Sequence, residues 1–170
     1  CVLLWGVETR AVRGSTVPAV VNITQAARLE AHEHGISALS CAGLDVVSGD
    51  TNGVVIVWNS VTAKPLRKHA IHKPGRPVVC LQFDATKIVS FGGDRVLTVT
   101  DLMAGRPVQQ TPQPHGEARL IGLQFDTNML VTVASDRTMR LWPWKNGRFS
   151  NEPAVLADRP REHIVQKEEQ

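Results

Sequence analysis

Histidine, hydroxyl and acidic residues are the side chains in this sequence that could carry acid–base, nucleophilic or metal chemistry. The sequence contains no HExxH pair, no glycine-rich phosphate loop before a helix and no paired cysteines, so no nucleophile–base set emerges. His32-Glu33-His34 places two histidines two residues apart, and on one strand they would share a face and could bind a metal. A structural histidine beside a loop histidine explains the pair better. We therefore expect no catalytic residue, no metal and no cofactor.

The three cysteines, Cys1, Cys41 and Cys80, have neither paired nor metal-ligand spacing. An odd set of this kind fits a reduced intracellular compartment, either cytoplasmic or nuclear. Cys41 and Cys80 occupy apolar positions of the pattern described below, where small hydrophobic residues are expected. Reactive thiols are not predicted there.

The bulk composition is that of a soluble globular protein. Of 170 residues, 42% are hydrophobic and 21% charged, which excludes wholesale disorder. The net charge of +3 is too small to indicate a nucleic-acid or membrane binder without a located patch. No apolar run reaches the length of a membrane-spanning helix. The opening CVLLWGVETR does not resemble a signal peptide and lacks an initial Met, so we expect the chain to be part of a longer protein.

The elements that would position these side chains repeat every 42 residues. Leu-Gln-Phe-Asp at 81–84 recurs at 123–126, and the same step links similar residues in three copies: Ile36, Val78 and Leu120; Val47, Val89 and Val131; Ser48, Ser90 and Thr132. Within one copy, turn residues separate four short alternating or apolar runs, Val78–Phe83, Lys87–Ser90, Val96–Thr100 and Pro107–Gln110. Four strands per unit of about 40 residues predict an all-β chain of propeller blades. A helix is expected at most in the tail from Ala157 onward.

These units resemble WD40 repeats, in which a His precedes the first strand, a Ser or Thr lies in the second, an Asp follows, and Trp-Asp ends the third. The resemblance implies a structural relay of His32, Ser48, Asn52 and Trp58, then His72, Ser90 and Asp94, then His115, Thr132, Asp136 and Trp142. Asn52 replaces the usual Asp, Thr100 replaces the second Trp, and Pro143 follows Trp142, so a divergent member with an incomplete relay is implied. Because a buried indole, hydroxyl, imidazole and carboxylate can satisfy one another, we interpret these residues as structural.

About three and a half WD40-type, four-stranded antiparallel blades are predicted. Their boundaries are 1–31 for a partial blade with an inserted loop, 32–73, 74–115 and 116–156 for full blades, and 157–170 for a tail. In the partial blade we expect Val2–Val7 as the second strand, Glu8–Pro18 as a loop, Ala19–Ile23 as the third strand and Ala27–Glu30 as the fourth. In this register Trp5 does not fall at the tryptophan position. Since blades bury their faces only against neighbours, the rest of the ring is expected outside this chain.

Basic residues gather at one end of the predicted blades. Up-and-down strands bring the loops between blades and the turns between second and third strands to the same end. That end carries Lys73, Arg76, Arg95, Arg119 and Arg137, whereas Asp94 and Asp136 are expected to be buried in the relay. We hypothesise that this rim receives an acidic or phosphorylated segment of a partner, the alternative being a solvated rim with no partner.

The resemblance implies a non-catalytic scaffold or adaptor that holds other proteins in a multi-subunit assembly, because a propeller offers several surfaces to separate partners. The first alternative is a substrate-recruiting subunit of an F-box/WD ubiquitin ligase, whose basic end would suit phosphorylated segments. The second is an RNA-associated propeller in a ribonucleoprotein, although the sequence has no Tyr and no basic run interleaved with aromatics. An enzyme is the class least expected.

Overall fold

The computed structural model describes residues 1–10, 20–145, 147–150 and 152–157. All the regular structure of these residues is β-strand, and none of them forms a helix that could cross a membrane. The tail that was expected to be a possible helix lies, apart from Ala157, outside the described residues. The strands are β1 (Val2–Arg10), β2 (Val20–Leu29), β3 (Ile36–Ala42), β4 (Asp45–Asp50), β5 (Val54–Asn59), β6 (Lys64–Ala70), β7 (Val78–Phe83), β8 (Lys87–Gly92), β9 (Val96–Asp101), β10 (Pro107–Pro112), β11 (Leu120–Phe125), β12 (Met129–Ala134), β13 (Thr138–Lys145), β14 (Arg148–Phe149) and β15 (Ala154–Ala157).

Three of the sheets are antiparallel meanders in which consecutive strands are neighbours. Their orders are β3-β4-β5-β6, β7-β8-β9-β10 and β11-β12-β13, the last extended by β14 at the end of β13 and by β15 along it. The connections are short turns, which is the condition for neighbouring strands to pair antiparallel. The expected four-stranded units are therefore present, and β15 extends one residue into the predicted tail.

The first hairpin differs from its prediction. β2 is one continuous strand, Val20–Leu29, where two strands were expected, and β1 continues to Arg10, past the expected start of the loop. The two strands pair with each other from Val2↔Leu29 onward. Residues 11–19, most of the predicted loop, lie outside the described residues. The hairpin therefore contains the third and fourth strands of a blade, and Val2–Val7 is a third strand rather than a second.

The register also corrects the position of Trp5. The pairing shifts by one residue between Leu4 and Trp5, and it shifts in the same way between Val57 and Trp58 in the next sheet. Counted from the histidine that follows each fourth strand, Val2 corresponds to Val55, so Trp5 occupies the position of Trp58. The sequence comparison missed this because the 42-residue step does not hold before His32.

The chain consists of two compact units, Cys1–Gly116 and Glu117–Gln170. In the first unit, alternate residues of neighbouring sheets build two apolar clusters. One cluster joins the β3–β6 sheet to the β7–β10 sheet. It contains Val47, Val55 and Val57 from the first sheet and Val78 and Leu81 from the second. The backbone of Gly49 lies so close to Val78 that an added Cβ would be 2.6 Å from the valine Cβ. Burial of each such aliphatic side chain is worth about 1.5–3 kcal/mol, so stacking of sheets is the main source of stability here.

The second unit is a single sheet with an aromatic centre of its own. Phe149 contacts both Trp142 and Trp144, with ring centroids 5.5 and 5.9 Å apart, and Phe125 meets Trp144 at 5.9 Å. The tilted, edge-on geometry is the one that aromatic quadrupoles favour. This explains why β13 is longer than its counterparts, since β14 brings Phe149 back onto the indoles.

Candidate interaction surface

The first full sheet contains a buried polar network centred on the Ser48 hydroxyl. The Trp58 Nε1–H donates to Ser48 Oγ at 2.7 Å, and Nε2 of His32 lies 2.7 Å from the same oxygen. Because the carboxylate of Asp50 accepts, Nδ1 of His32 donates to its Oδ2 at 2.9 Å. The Ser48 hydroxyl accepts the indole N–H and can donate its own proton to Nε2. Every polar group in this chain of bonds is paired.

Asp50, not Asn52, provides the carboxylate of this network. Its Oδ1 accepts the N–H groups of Asn52 and Val54 at 2.9 and 3.0 Å, which closes the turn into β5. Burial acts to raise the pKa of Asp50, but the bonds from the Val54 N–H, His32 and the Asn52 N–H outweigh it and hold that pKa below its ordinary value. Asn52 has another task, since its Oδ1 accepts the N–H of Gly75 at 2.7 Å. The prediction of Asn52 as a relay member is wrong for this reason.

The second full sheet repeats the network without a tryptophan. His72 contacts Ser90 Oγ through Nε2 at 2.9 Å and Asp94 Oδ1 through Nδ1 at 3.1 Å. Burial lowers the pKa of His72 despite the opposing influence of Asp94, so the neutral ring is favoured. Thr100, at the tryptophan position, is buried and its hydroxyl has no hydrogen-bond partner among the described residues, and the same holds for Thr98.

In the third full sheet, Trp142 Nε1–H donates to the buried Thr132 hydroxyl at 2.8 Å, as Trp58 does to its serine. Asp136 accepts from the N–H and the hydroxyl of Thr138 at 3.0 and 2.7 Å. Asp136 is exposed, so the expectation that it is buried is wrong: its carboxylate closes a surface turn. His115 is buried and lies at the end of the first unit.

Three of the predicted rim residues, Lys73, Arg76 and Arg95, are exposed and line one depression of about 330 Å³ together with Gly93 and Asp94. The Asp94 side chain is only 6% exposed, since one oxygen accepts the Lys73 N–H at 3.1 Å and the other faces His72. The surface of the depression is therefore dominated by three cationic side chains.

The backbone around this depression is fixed on both sides. In the inter-sheet loop, Arg76 N–H donates to the Lys73 carbonyl at 3.0 Å, and Asn52 holds the loop through Gly75. In the facing turn, Gly93 N–H donates to the Pro77 carbonyl at 2.7 Å. An added Cβ on Gly93 would lie 2.7 Å from the Pro77 ring, so glycine is required for this close approach. The cationic side chains therefore extend from a backbone that hydrogen bonds and close packing hold in place.

Arg95 and Arg137 share an unusual backbone conformation, with φ of 63° and 66°. Each is the last residue of the turn between the second and third strands, and the equivalent position of the first sheet is Gly53, with φ of 83°. A side chain in the left-handed region costs roughly 1–2 kcal/mol, which glycine avoids. Two copies of this turn thus carry an arginine where glycine would be less strained.

The other two rim residues lie in the second unit. Arg119 is exposed, and its N–H donates to Ser135 Oγ at 3.1 Å, while its carbonyl accepts the Ser135 N–H at 2.9 Å. Arg137 is exposed on the adjoining turn. Neither lines the depression formed by Lys73, Arg76 and Arg95. We call the depression lined by Lys73, Arg76 and Arg95 the basic depression.

The second unit contains a larger, apolar depression of about 470 Å³ on the face of β11–β13. Its only acidic lining residue is Asp126, whose carboxylate accepts the N–H groups of Asn128 and Met129 at 2.7 and 2.9 Å. These bonds lower the pKa of Asp126. The carboxylate closes the β11–β12 turn, so this depression offers packing surface rather than chemistry.

The remaining candidates for chemistry are accounted for by their contacts. His32 of the His-Glu-His run is committed to Ser48 and Asp50, and no metal-ligating cluster of three side chains occurs within the described ranges. Burial raises the pKa of the Cys80 thiol to about 12, which makes it a poor nucleophile. Cys41, by contrast, is exposed.

Comparisons with known proteins agree with this architecture. No protein-family model matches the chain. Over 96 residues the chain is 31% identical to Echinoderm microtubule-associated protein-like elp-1 of Caenorhabditis elegans, covering 54% of this chain and 10% of that protein. Over 114 residues it is 25% identical to human Apoptotic protease-activating factor 1, covering 66% and 9% respectively. Both relatives contain WD40 repeats, and the chain spans about a tenth of their length.

Two solved structures of computationally designed propellers are similar to the chain. Ika4 superposes with a TM-score of 0.57 and 28% identity, over 74% of this chain and 76% of that one. Ika8 superposes with a TM-score of 0.59 and 26% identity, over 79% and 42%. The chain is a partial β-propeller. The prediction of an all-β fold built from about three and a half such blades is confirmed.

The propeller geometry also shows which residues the sequence comparison missed. Asp50 was overlooked because it stands two residues after Ser48, whereas Asp94 stands four residues after Ser90. A search for any acidic residue in the turn, rather than at a fixed step, would have found it. Gly93 gave no signal, since its role depends on how closely the Pro77 ring approaches.

Proposed function

We propose that this chain is a WD40-type, non-catalytic protein-interaction module, and that its basic depression binds an acidic or phosphorylated segment of a partner protein. The observation that carries the proposal is the convergence of Lys73, Arg76 and Arg95 on one depression whose single carboxylate, Asp94, is turned into the blade. The resemblance to WD40-containing proteins supports a role in holding other proteins.

Charge and geometry favour an anionic ligand. Among the described residues neither Lys73 nor Arg76 forms an ion pair, so an incoming carboxylate or phosphate meets cations that are not already neutralised. Guanidinium groups can bind both oxygens of a carboxylate or phosphate at once. Hydrogen bonds of this charged kind contribute about 1.5–3 kcal/mol each, which suits a short segment bound by two or three contacts.

The strained conformation of Arg95 supports the same function. Residues held in rare backbone conformations concentrate at functional sites, because at other sites a residue that adopts the conformation without strain can take their place. Gly53 shows that glycine fits this turn, yet Arg95 places a guanidinium at the edge of the depression. The inference is that the charge at this position has a use that offsets the backbone cost.

We propose further that the bound segment is phosphorylated. A substrate-recruiting subunit of a ubiquitin ligase would bind such a segment. Single-stranded RNA is the competing anion. The basic depression has no aromatic side chain in its lining, and RNA binding of this kind depends on bases stacking on aromatic rings. The lining therefore favours an acidic peptide.

The test is a binding titration of the full chain with labelled peptides. A hexaglutamate peptide and a phosphoserine peptide of matched length are compared with hexalysine and with oligouridylate, at several salt concentrations. We expect the two acidic peptides to bind, the phosphopeptide more tightly, and binding to weaken as salt rises.

Two variants locate the site. Arg76→Glu combined with Arg95→Gly removes two cations, and the glycine suits the left-handed turn, so folding is preserved while binding falls at least tenfold. The matched control is Lys64→Glu with Arg106→Gly, which makes the same charge change at the opposite end of the blades and leaves binding intact. Equal losses in both variants, or tighter binding of oligouridylate than of the phosphopeptide, would overturn the proposal.

A further inference from the structure

The loop that carries Lys73 and Arg76 is held by side chains from two different sheets. The Lys73 N–H donates at 3.1 Å to Oδ2 of Asp94, in the turn between β8 and β9. The Gly75 N–H donates at 2.7 Å to Oδ1 of Asn52, in the turn between β4 and β5. Because the nitrogen of an amide side chain cannot accept, this bond also fixes which atom of the Asn52 amide faces the loop. The position of both cations therefore depends on Asn52.

The turn that contains Asn52 packs closely against the same loop. The carbonyl oxygen of Gly53 accepts the N–H groups of Ile71 and His72 at 3.2 and 3.1 Å. An added Cβ on Gly53 would lie 2.8 Å from the His72 carbonyl oxygen and 3.0 Å from that of Arg76. A charge on the side chain of residue 52 would thus lie beside the loop of the basic depression.

The backbone of this loop has no N–H group left for a ligand. The N–H groups of Lys73 and Gly75 are bonded as described, and the Arg76 N–H donates to the Lys73 carbonyl at 3.0 Å. Pro74 and Pro77 have no N–H. An anion above this loop has to be bound by side chains, so its affinity depends on the net charge that the side chains around the loop provide.

The residue that bonds to this loop from the preceding sheet is uncharged, although its counterparts are acidic. The equivalent residues of the three full sheets, each six positions before the tryptophan position, are Asn52, Asp94 and Asp136. Asp94 faces the histidine of its own sheet, and Asp136 closes its own turn. In the first sheet Asp50 faces His32 instead, which leaves Asn52 to bond to the loop before the next sheet.

We infer that Asn52 is a positioning residue of the basic depression that also keeps this depression cationic, an inference that rests on the proposed function. Its amide oxygen holds the loop as a carboxylate would, but it adds no negative charge beside Lys73 and Arg76. A carboxylate at residue 52 would compete with the carboxylate or phosphate of the ligand for these cations. The chemical identity of residue 52 therefore determines how tightly the same loop binds an anion.

The charge is tested with Asn52→Asp in the full chain, titrated with the phosphoserine peptide described above. Because aspartate keeps the acceptor, we expect the Gly75 amide to retain its protection from hydrogen exchange. We expect the affinity to fall about 5-fold at low salt, and the loss to shrink as salt rises.

The matched control is Asn59→Asp. Asn59 Oδ1 also accepts two N–H groups of its own turn, from Val61 and Thr62 at 3.0 and 2.9 Å, but it lies at the opposite end of the blades. The substitution adds the same charge and keeps the same kind of acceptor, so binding of the phosphoserine peptide is expected to stay unchanged.

The positioning role is tested separately with Asn52→Ala, which removes the acceptor and leaves the charge unchanged. We expect the Gly75 amide to lose its protection and the affinity to fall about 3-fold, because the ligand must then order the loop. This loss, unlike that of Asn52→Asp, is expected to persist at high salt.

Three results would overturn the inference: wild-type affinity in Asn52→Asp or Asn52→Ala, an equal loss in Asn59→Asp, or loss of Gly75 protection in Asn52→Asp. Failure of the unsubstituted chain to bind either acidic peptide would refute the proposed function and this inference with it. Binding that does not depend on residue 52 would refute this inference alone.

Discussion

Ser48→Ala and Ser90→Ala are chemically identical changes at equivalent positions, yet the structure predicts different costs. Both serines are fully buried. Ser48 accepts the Trp58 indole N–H and contacts His32. Ser90 contacts His72, and the tryptophan position of its sheet, diagonally across the strand pair, is Thr100. Ser48→Ala therefore leaves two buried polar groups without partners and Ser90→Ala leaves one.

The expected loss of stability follows from the number of buried polar groups that lose their hydrogen-bond partner. Each buried donor or acceptor that loses its partner costs about 1–3 kcal/mol, so Ser48→Ala is expected to lower the free energy of unfolding by about 2–6 kcal/mol and Ser90→Ala by about half as much. Trp58→Phe removes the indole N–H that Ser48→Ala would otherwise leave without an acceptor. In the double variant, Ser48→Ala should then cost less than it does alone, with a coupling of about 1–2 kcal/mol.

The assay is urea unfolding of the full chain, with hydrogen exchange reporting separately on residues 44–60 and 86–102. Both sites lie in the same compact unit, so the two variants are compared within one unfolding reaction. The reasoning is refuted if Ser90→Ala costs as much as Ser48→Ala, or if Trp58→Phe leaves the cost of Ser48→Ala unchanged.

Four further predictions concern the protonation of two side chains, a buried hydroxyl and thiol reactivity. The folded pKa of His72 lies below the ordinary value of about 6.5, so the unfolded state takes up a proton first and stability falls as pH drops below about 6.5; the slope, at most about 1.4 kcal/mol per pH unit, should be smaller in His72→Asn. Asp50 adds stability above about pH 3.9 that is lost as pH falls through its lowered folded pKa, and Asp50→Asn should remove this acid limb from the urea-midpoint profile. Thr100→Val removes, at nearly constant volume, a buried hydroxyl that has no hydrogen-bond partner in the described part of the chain, and it should raise the unfolding free energy by about 1 kcal/mol; a lower urea midpoint would contradict this. With a thiol pKa of about 12, Cys80 should resist iodoacetamide at pH 8 until the chain is unfolded, whereas exposed Cys41 should react in the folded chain, as mass spectrometry of peptides can show.

The fold could be predicted from the sequence to a large extent because the repeat is a property of spacing. Strands β7 to β10 begin at the expected residues and end one or two residues later at most places. The exception is the first hairpin, where a single strand, Val20–Leu29, was expected as two, and where the 42-residue step gave no register. Without a second copy at the same spacing, the position of Trp5 could be fixed only by its pairing with β2.

The residue types of the candidate site could be predicted from the sequence, but which of these residues come together could not. The sequence predicted five basic residues at one end of the blades. In the structure Lys73, Arg76 and Arg95 line one depression. Which carboxylate faces the histidine depends on the path of the turn: Asp50 reaches His32 from two residues after the serine, and Asp94 reaches His72 from four. Turn geometry of this kind depends on hydrogen bonds between residues of different strands and loops, which spacing along the sequence does not give.

By itself, the sequence determined the four-stranded repeat and the alternation of strands and turns, because these depend on local periodicity. The tertiary structure decided that Asp50 rather than Asn52 faces His32, that Asp136 is exposed, and that Trp5 is exposed whereas Trp58 and Trp142 are buried. Each of these outcomes depends on what lies beside a residue in the neighbouring strand or loop. Spacing along one chain encodes the strands, whereas partners across strands exist only once the sheets have formed.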